Sequence, residues 1–149
     1  MAETDAFTTT SCVNAWHLLR AAHARVEQGL GEELARACGL SISEFDALFS
    51  LHLHAPQEPR IGDLVPAVAL SQPALSRLVA RLEERGLLCR EPVPGDARAA
   101  RLRLTASGRA VVATAMQIHT RIVHELFASR FTAEEQATLL RILGQIARE

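Results

Sequence analysis

The chain has 149 residues, 48% of them hydrophobic and 22% charged, with a formal net charge of −1. That is enough length and apolar material for one folded domain, or one that completes its core in a dimer, and it excludes a disordered chain. No apolar run approaches the roughly 20 residues of a membrane span, and no basic-then-apolar leader opens the chain, so the cytoplasm is the expected compartment. Cys12, Cys38 and Cys89 are too few and too widely spaced for a disulfide framework or a CxxC metal site.

Residues 1–10 are polar and are expected to be loose. From Cys12 to Ala37, Trp16, Leu19, His23, Val26, Leu30 and Leu34 fall on one stripe of a long helix, which Gly29 and Gly31 weaken and Gly39 ends. Little in a chain this size can cover so long a first helix. Residues 41–55 form the next helix: Ser41 and Glu44 fit a capping box, and Phe45, Leu48, Phe49 and His52 make the expected buried stripe. Pro56 and Pro59 bound a loop, and Ile61, Leu64, Val65 and Val68 have helical spacing, with Pro66 positioned to shorten or kink that helix.

Residues 71–108 read SQPALSRLVARLEERGLLCREPVPGDARAARLRLTASG. Leu75, Leu78, Val79 and Leu82 give one apolar helix face, Ser71 is the expected N-cap, and Gly86 stops the helix. The opposite face, with Pro73, Ser76, Arg77 and Ala80, is small, polar and basic, which suits a helix lying in a DNA groove. A β-hairpin follows, with residues 87–91 as one strand and the turn around Pro92, Pro94 and Gly95. In its second strand Leu102 and Leu104 alternate with Arg101 and Arg103.

Thr105 caps a long helix to about Ser129, in which Val111, Ala115, Ile118, Ile122 and Leu126 lie beside a row of Val112, Met116, His119, Val123 and Phe127. Thr132 and Glu135 form a second capping box, opening a last helix whose apolar residues are Leu139, Leu140, Ile142, Leu143 and Ile146.

Net charge conceals an uneven distribution. All sixteen basic residues are arginine; residues 71–109 hold eight of them against four acids, whereas residues 1–70 hold four against nine. Arginine makes forked contacts to phosphate or guanine, so a basic segment coinciding with the helix–hairpin motif is an electrostatic footprint for nucleic acid, the alternative being a solvated arginine-rich face.

SQPALSRLVARLEERGLL, then GDAR, then RLTASGR resembles the MarR family of bacterial transcriptional regulators, most clearly over residues 40–110. The resemblance implies a mainly α fold with a small β-hairpin wing (α+β): an N-terminal dimerisation helix over 1–39, a winged helix-turn-helix over 40–104 and C-terminal dimerisation helices over 105–149. It also implies that Arg60-Ile61 forms a short strand beside the wing. The expected function is sequence-specific binding of double-stranded DNA by a homodimer, as a ligand-responsive repressor. A near-palindromic operator would place half-sites about 34–36 Å apart.

Ser71, Gln72, Pro73 and Ser76 stand at the start of the recognition helix, and Arg77 is the candidate base contact unless it pairs with Glu84 or Asp96. By the resemblance, Arg98 enters the minor groove from the wing and Asp96 braces it; Ala97 replaces an arginine common in the family. Arg101 and Arg103 are phosphate contacts or solvated strand residues.

Members of the family commonly bind phenolic or other aromatic carboxylate ligands, sense cysteine oxidation, or bind zinc. Trp16, His23, Asp46, His52 and His119 are the candidate pocket for a small aromatic or anionic effector, weighed against ordinary core or interface histidines. No metal or cofactor is expected, because the rings of His52 and His54 point from different helical faces with no cysteine beside them. Cys12 stands where a peroxide-sensing branch keeps its cysteine, but this chain has no tyrosine to support a thiolate there. GxSxG, HExxH and GxxxxGK[ST] are absent, so an enzyme is not expected. The remaining alternative is a winged helix used only for protein contact, which would not need Arg77 and Arg98.

Overall fold

A computed structural model describes the backbone of residues 2–57, 59–68, 70–93 and 96–147, and the side chains of these from residue 11 onward except 57 and 96–99. The fold is mainly helical: α1 (Ala2–Cys38), α2 (Ile42–Leu53), α3 (Gln72–Glu84), a hairpin of β1 (Leu88–Val93) and β2 (Asp96–Leu104), α4 (Ala106–Leu126) and α5 (Ala133–Ile146). Two compact units divide the chain, residues 31–119 and residues 1–30 with 120–149.

In the unit of residues 31–119, Gly39 ends α1 in the left-handed region at φ 63°, and the Leu40 N–H returns to the Leu34 carbonyl at 3.2 Å. The expected capping box opens α2. The Ser41 N–H donates to Glu44 Oε2 at 2.9 Å and the Glu44 N–H to Ser41 Oγ at 3.3 Å. Phe45, Ala47, Leu48 and Leu51 of α2 join Leu64, Val68, Leu75, Leu78, Val79, Leu82, Leu88 and Leu102 in the core. His52 departs from its expected buried stripe and is exposed. Its helical turn is the last of α2, where an open cavity rather than packed side chains lies against it.

Residues 61–68 do not form an α-helix. One 3-10 turn, Ile61–Leu64, is closed by the Arg60 N–H on Asp63 Oδ2 at 2.7 Å, and turns follow through residue 67. Pro66 has no N–H to continue a helical ladder, so only Leu64 and Val68 of the expected stripe are buried. The expected strand beside the wing is a single bridge from Arg60 to Arg101, with the Leu102 N–H on the Pro59 carbonyl at 2.8 Å.

Ser71 holds the cap position of α3, with extended backbone, but its hydroxyl makes no capping bond. Pro73 stands at the second helical position, where the missing N–H removes one of the two donors a cap accepts from. Gly86 stops the helix at φ 68°. The antiparallel hairpin pairs Leu88 with Leu104 and Glu91 with Arg101, shifting register at Pro92/Val93. β1 therefore runs two residues past the expected strand end.

Thr105 locks the hairpin to α4. Its hydroxyl donates to the Gly86 carbonyl at 2.6 Å and accepts from the Gly108 N–H at 3.0 Å.

In the unit of residues 1–30 and 120–149, Gly29 lets α1 approach α4 closely: a Cβ there would lie 2.7 Å from Leu126 Cδ1. α1 begins at Ala2, so residues 2–10, part of the stretch expected to be loose, are helical. They contain no glycine or proline to break a helix, and Glu3 and Asp5 sit where its dipole favours acids. Thr132 and Glu135 make the second capping box, with the Thr132 N–H on Glu135 Oε2 at 2.8 Å. These hydrogen bonds, from the Thr132 backbone first and its hydroxyl second, lower the Glu135 pKa.

Candidate nucleic-acid interface

α3 buries Leu75, Leu78, Val79 and Leu82 and turns its other face outward. Gln72, Pro73, Arg77 and Arg81 are exposed on that side, and Ser76 is half-buried. The Ser71 hydroxyl, without a capping bond, adds a polar group at the helix start.

Arginines of the basic segment sort into two groups. Arg85, on the residue that caps the end of α3, donates from Nη1 to Glu44 Oε1 at 3.3 Å and from Nη2 to the Gly39 carbonyl at 3.0 Å. Arg90 pairs with Glu83 at 3.3 Å, Arg103 with Glu91 at 3.1 Å, and Arg109 donates to the Leu104 carbonyl at 2.8 Å. Arg77 and Arg81 point outward with no ion-pair partner among the described residues. Neither Glu84 nor another described acid pairs with Arg77. The side chains of Asp96 and Arg98 lie outside the described residues.

The exposed Arg103–Glu91 pair is worth little in water, about 0–1 kcal/mol. Arg101 sits on the same strand, at the bridge to Arg60. Arg81 was not among the sequence candidates. Its four-residue spacing from Arg77 was the available signal, since i and i+4 share a helix face.

The expected effector residues are distributed differently. Trp16 and His23 line one open cleft of about 490 Å³ on α1, with Leu19, Arg20 and Ala24. His23 Nδ1 is 3.3 Å from Glu27 Oε2. In the other unit, His119 stacks on Phe45 with ring centroids 5.5 Å apart, and Asp46 is half-buried. His52 lines a separate cavity with Arg103 and Arg109. Cys12, Cys38 and Cys89 are free thiols, and burial pushes the Cys38 thiol pKa up. Among the described residues, no three His, Cys, Asp or Glu side chains gather as a metal site.

A model of the MarR family matches residues 39–99, from the end of α1 to within β2. The HTH-type transcriptional regulator PecS of Dickeya dadantii is 32% identical over 108 residues, which are 72% of this chain and 64% of PecS. The match thus spans just under two thirds of that relative. Among solved structures, Sco3205, a MarR family transcriptional regulator from Streptomyces coelicolor in complex with DNA, is 28% identical at a TM-score of 0.80. That match covers 89% of this chain and 86% of Sco3205. BpsR of Bordetella bronchiseptica, whose DNA binding is regulated by 6-hydroxynicotinic acid, is 25% identical at a TM-score of 0.76, covering 90% and 98%. The fold is a winged helix-turn-helix with flanking helices. Residues 39–99 match the MarR family, and the fold around them is that of solved members of the family.

Proposed function

We propose that the chain is a homodimeric, sequence-specific DNA-binding regulator of transcription, acting in the cytoplasm as a repressor and carrying no catalysis. The observation that carries this reading is the outward face of α3, where Arg77 and Arg81 have no ion-pair partner among the described residues while Arg85, Arg90 and Arg103 are tied to acids. Arg77 reads a base edge; Ser71, Gln72, Pro73 and Ser76 set the helix against the backbone of the groove. Arg81, Arg101 and Arg103 meet phosphates, and Arg98 reaches the minor groove from a wing braced by Asp96.

Dimerisation is supported by apolar side chains left open in one unit: Trp16, Leu18, Leu140 and Ile146 are each more than half exposed. Isolated exposed apolar residues are ordinary, but a run of large ones on α1 and α5 marks a surface to be covered. A two-fold protein then presents one α3 to each half of a near-palindromic site. The Trp16–His23 cleft is the proposed place for a small aromatic or anionic effector, with Asp46, His52 and His119 as further candidates.

A mobility-shift titration with the DNA upstream of the chain's own gene, against a scrambled control at several salt concentrations, tests the reading. A specific shift that weakens steeply with salt is expected. No preference over scrambled DNA, there or in a genome-wide capture of bound fragments, counts for a protein-contact module instead.

A further inference from the structure

Within the unit of residues 31–119, the hairpin is gripped on both edges at one rung. Arg90 of β1 and Leu102 of β2 face each other in the antiparallel register, and their N–H groups turn outward in opposite directions. The Leu102 N–H goes to the Pro59 carbonyl at 2.8 Å. The Arg90 N–H goes to Glu83 Oε1 at 3.2 Å, and the Arg90 guanidinium meets Glu83 Oε2 at 3.3 Å. Both carboxylate oxygens of one α3 residue thus bind one residue of β1, backbone and side chain together. Glu83 stands in the last turn of α3, where the helix dipole opposes a negative charge. It also lies in the basic segment, where a DNA phosphate would oppose it again. Helix stability does not account for an acid at that position; a bond to the hairpin does.

We infer that Glu83 is a positioning residue for DNA binding: it holds the hairpin at a set angle to α3 and so sets sequence preference without touching a base. The inference rests on the proposed function, in which helix and wing meet one duplex together. Leu88 and Leu102 anchor the base of the hairpin in the core. Past the Arg90–Leu102 rung it runs on as a two-stranded ribbon, with Glu91 facing Arg101 and Pro92 facing Ala100. Two-stranded ribbons twist more than wider sheets, and an unsupported hairpin is marginal in water, so its direction depends on contacts along its edges. Two contacts on one duplex reinforce each other when their spacing is fixed in advance, because a loose second contact loses binding energy to its own ordering. The gain falls on the sequence at which both contacts fit and is small elsewhere.

The test pairs NMR hydrogen exchange of the Arg90 amide, without DNA, with fluorescence anisotropy on the preferred and a scrambled site at one salt concentration. The side chains of Arg90 and Glu83 are 40% and 36% exposed, so loss of their bond leaves the fold intact, which thermal melts check. Glu83→Ala is expected to speed Arg90 exchange and to lower the preference roughly fivefold or more. Its affinity for scrambled DNA is expected to hold or rise, because one negative charge has gone. Glu83→Gln keeps an acceptor for the Arg90 N–H and is expected to restore slow exchange and most of the preference. Glu84→Ala removes the charge of an exposed neighbour and is expected to leave exchange and preference as in the wild type. An undiminished preference in folded Glu83→Ala overturns the inference. So does an equal loss in Glu84→Ala or in Glu83→Gln, which would mark an effect of charge alone. A wild type that prefers no site overturns the proposed function and the inference with it, so the wild type tells the two failures apart.

Discussion

Arg85 and Glu44 are 41 residues apart in sequence, and their side chains meet at 3.3 Å. Glu44 also accepts the Ser41 N–H at the start of α2, and Arg85 also reaches the Gly39 carbonyl at the end of α1. One ion pair thus joins the end of the helix that carries Arg77 to the junction of two others. The Glu44 side chain is only 11% exposed and Arg85 38%, so the pair is partly screened. Removing Glu44 breaks the pair and the capping box together, and Glu44→Ala is expected to cost about 2 kcal/mol. Arg85→Ala is expected to cost less, since the capping bonds to Glu44 remain. Urea unfolding of both variants checks the order.

Two glycines are required for different reasons. A Cβ on Gly108 would run into the backbone carbonyl of Leu87, which the Thr105 N–H also holds. Backbone cannot yield as a side chain does, so Gly108→Ala is expected to lower stability by about 1–3 kcal/mol or more. At Gly86 the space is open and only the positive φ opposes a side chain. Gly86→Ala is expected to cost about 1 kcal/mol, and Gly86→Asn less. Thermal melts that rank the three variants otherwise would contradict this account of the hairpin's attachment.

Acid should act on the start of α5. The folded-state pKa of Glu135 is lowered by the Thr132 N–H and hydroxyl, so its carboxylate favours the folded helix end above the ordinary glutamate range. That contribution is lost as pH falls through the depressed folded value. Raising pH has no such effect, because the group is already ionised. Thr132→Ala removes the hydroxyl donor to Glu135 and is expected to bring the Glu135 carboxyl resonance back toward an ordinary titration in NMR.

Arg77 and Arg81 should behave differently on DNA. A base contact by Arg77 predicts that Arg77→Ala costs about 1–3 kcal/mol on the preferred sequence and less on others. A phosphate contact by Arg81 predicts uniform weakening and a salt slope reduced by about one. Arg98→Ala is expected to lower operator affinity without unfolding the dimer, read by titration at fixed salt alongside sedimentation.

Local signals made most of the fold legible. The spacing of Leu75, Leu78, Val79 and Leu82 gives α3, and the Ser41–Glu44 and Thr132–Glu135 patterns give two helix starts, because caps act over three residues. What depends on distant neighbours was not legible. Composition could not separate Arg77 from Arg85, since only the fold brings Glu44 to one and leaves the other open. Helical spacing placed His52 on a buried stripe, but periodicity does not reveal that a helix's last turn faces a cavity. Around Pro66 the apolar spacing was right for Leu64 and Val68 and the backbone type was not: Leu64 is buried from a 3-10 turn and Val68 from the bend that follows.

The most direct measurement of the central claim is fluorescence anisotropy of the wild type and Arg77→Ala on the preferred site and on a scrambled site of equal length, at one salt concentration. The account predicts that wild type prefers its site strongly, and that Arg77→Ala loses most of that preference while keeping its weak affinity for scrambled DNA. An undiminished preference in a folded Arg77→Ala dimer would contradict it, and would move sequence reading away from the exposed face of α3.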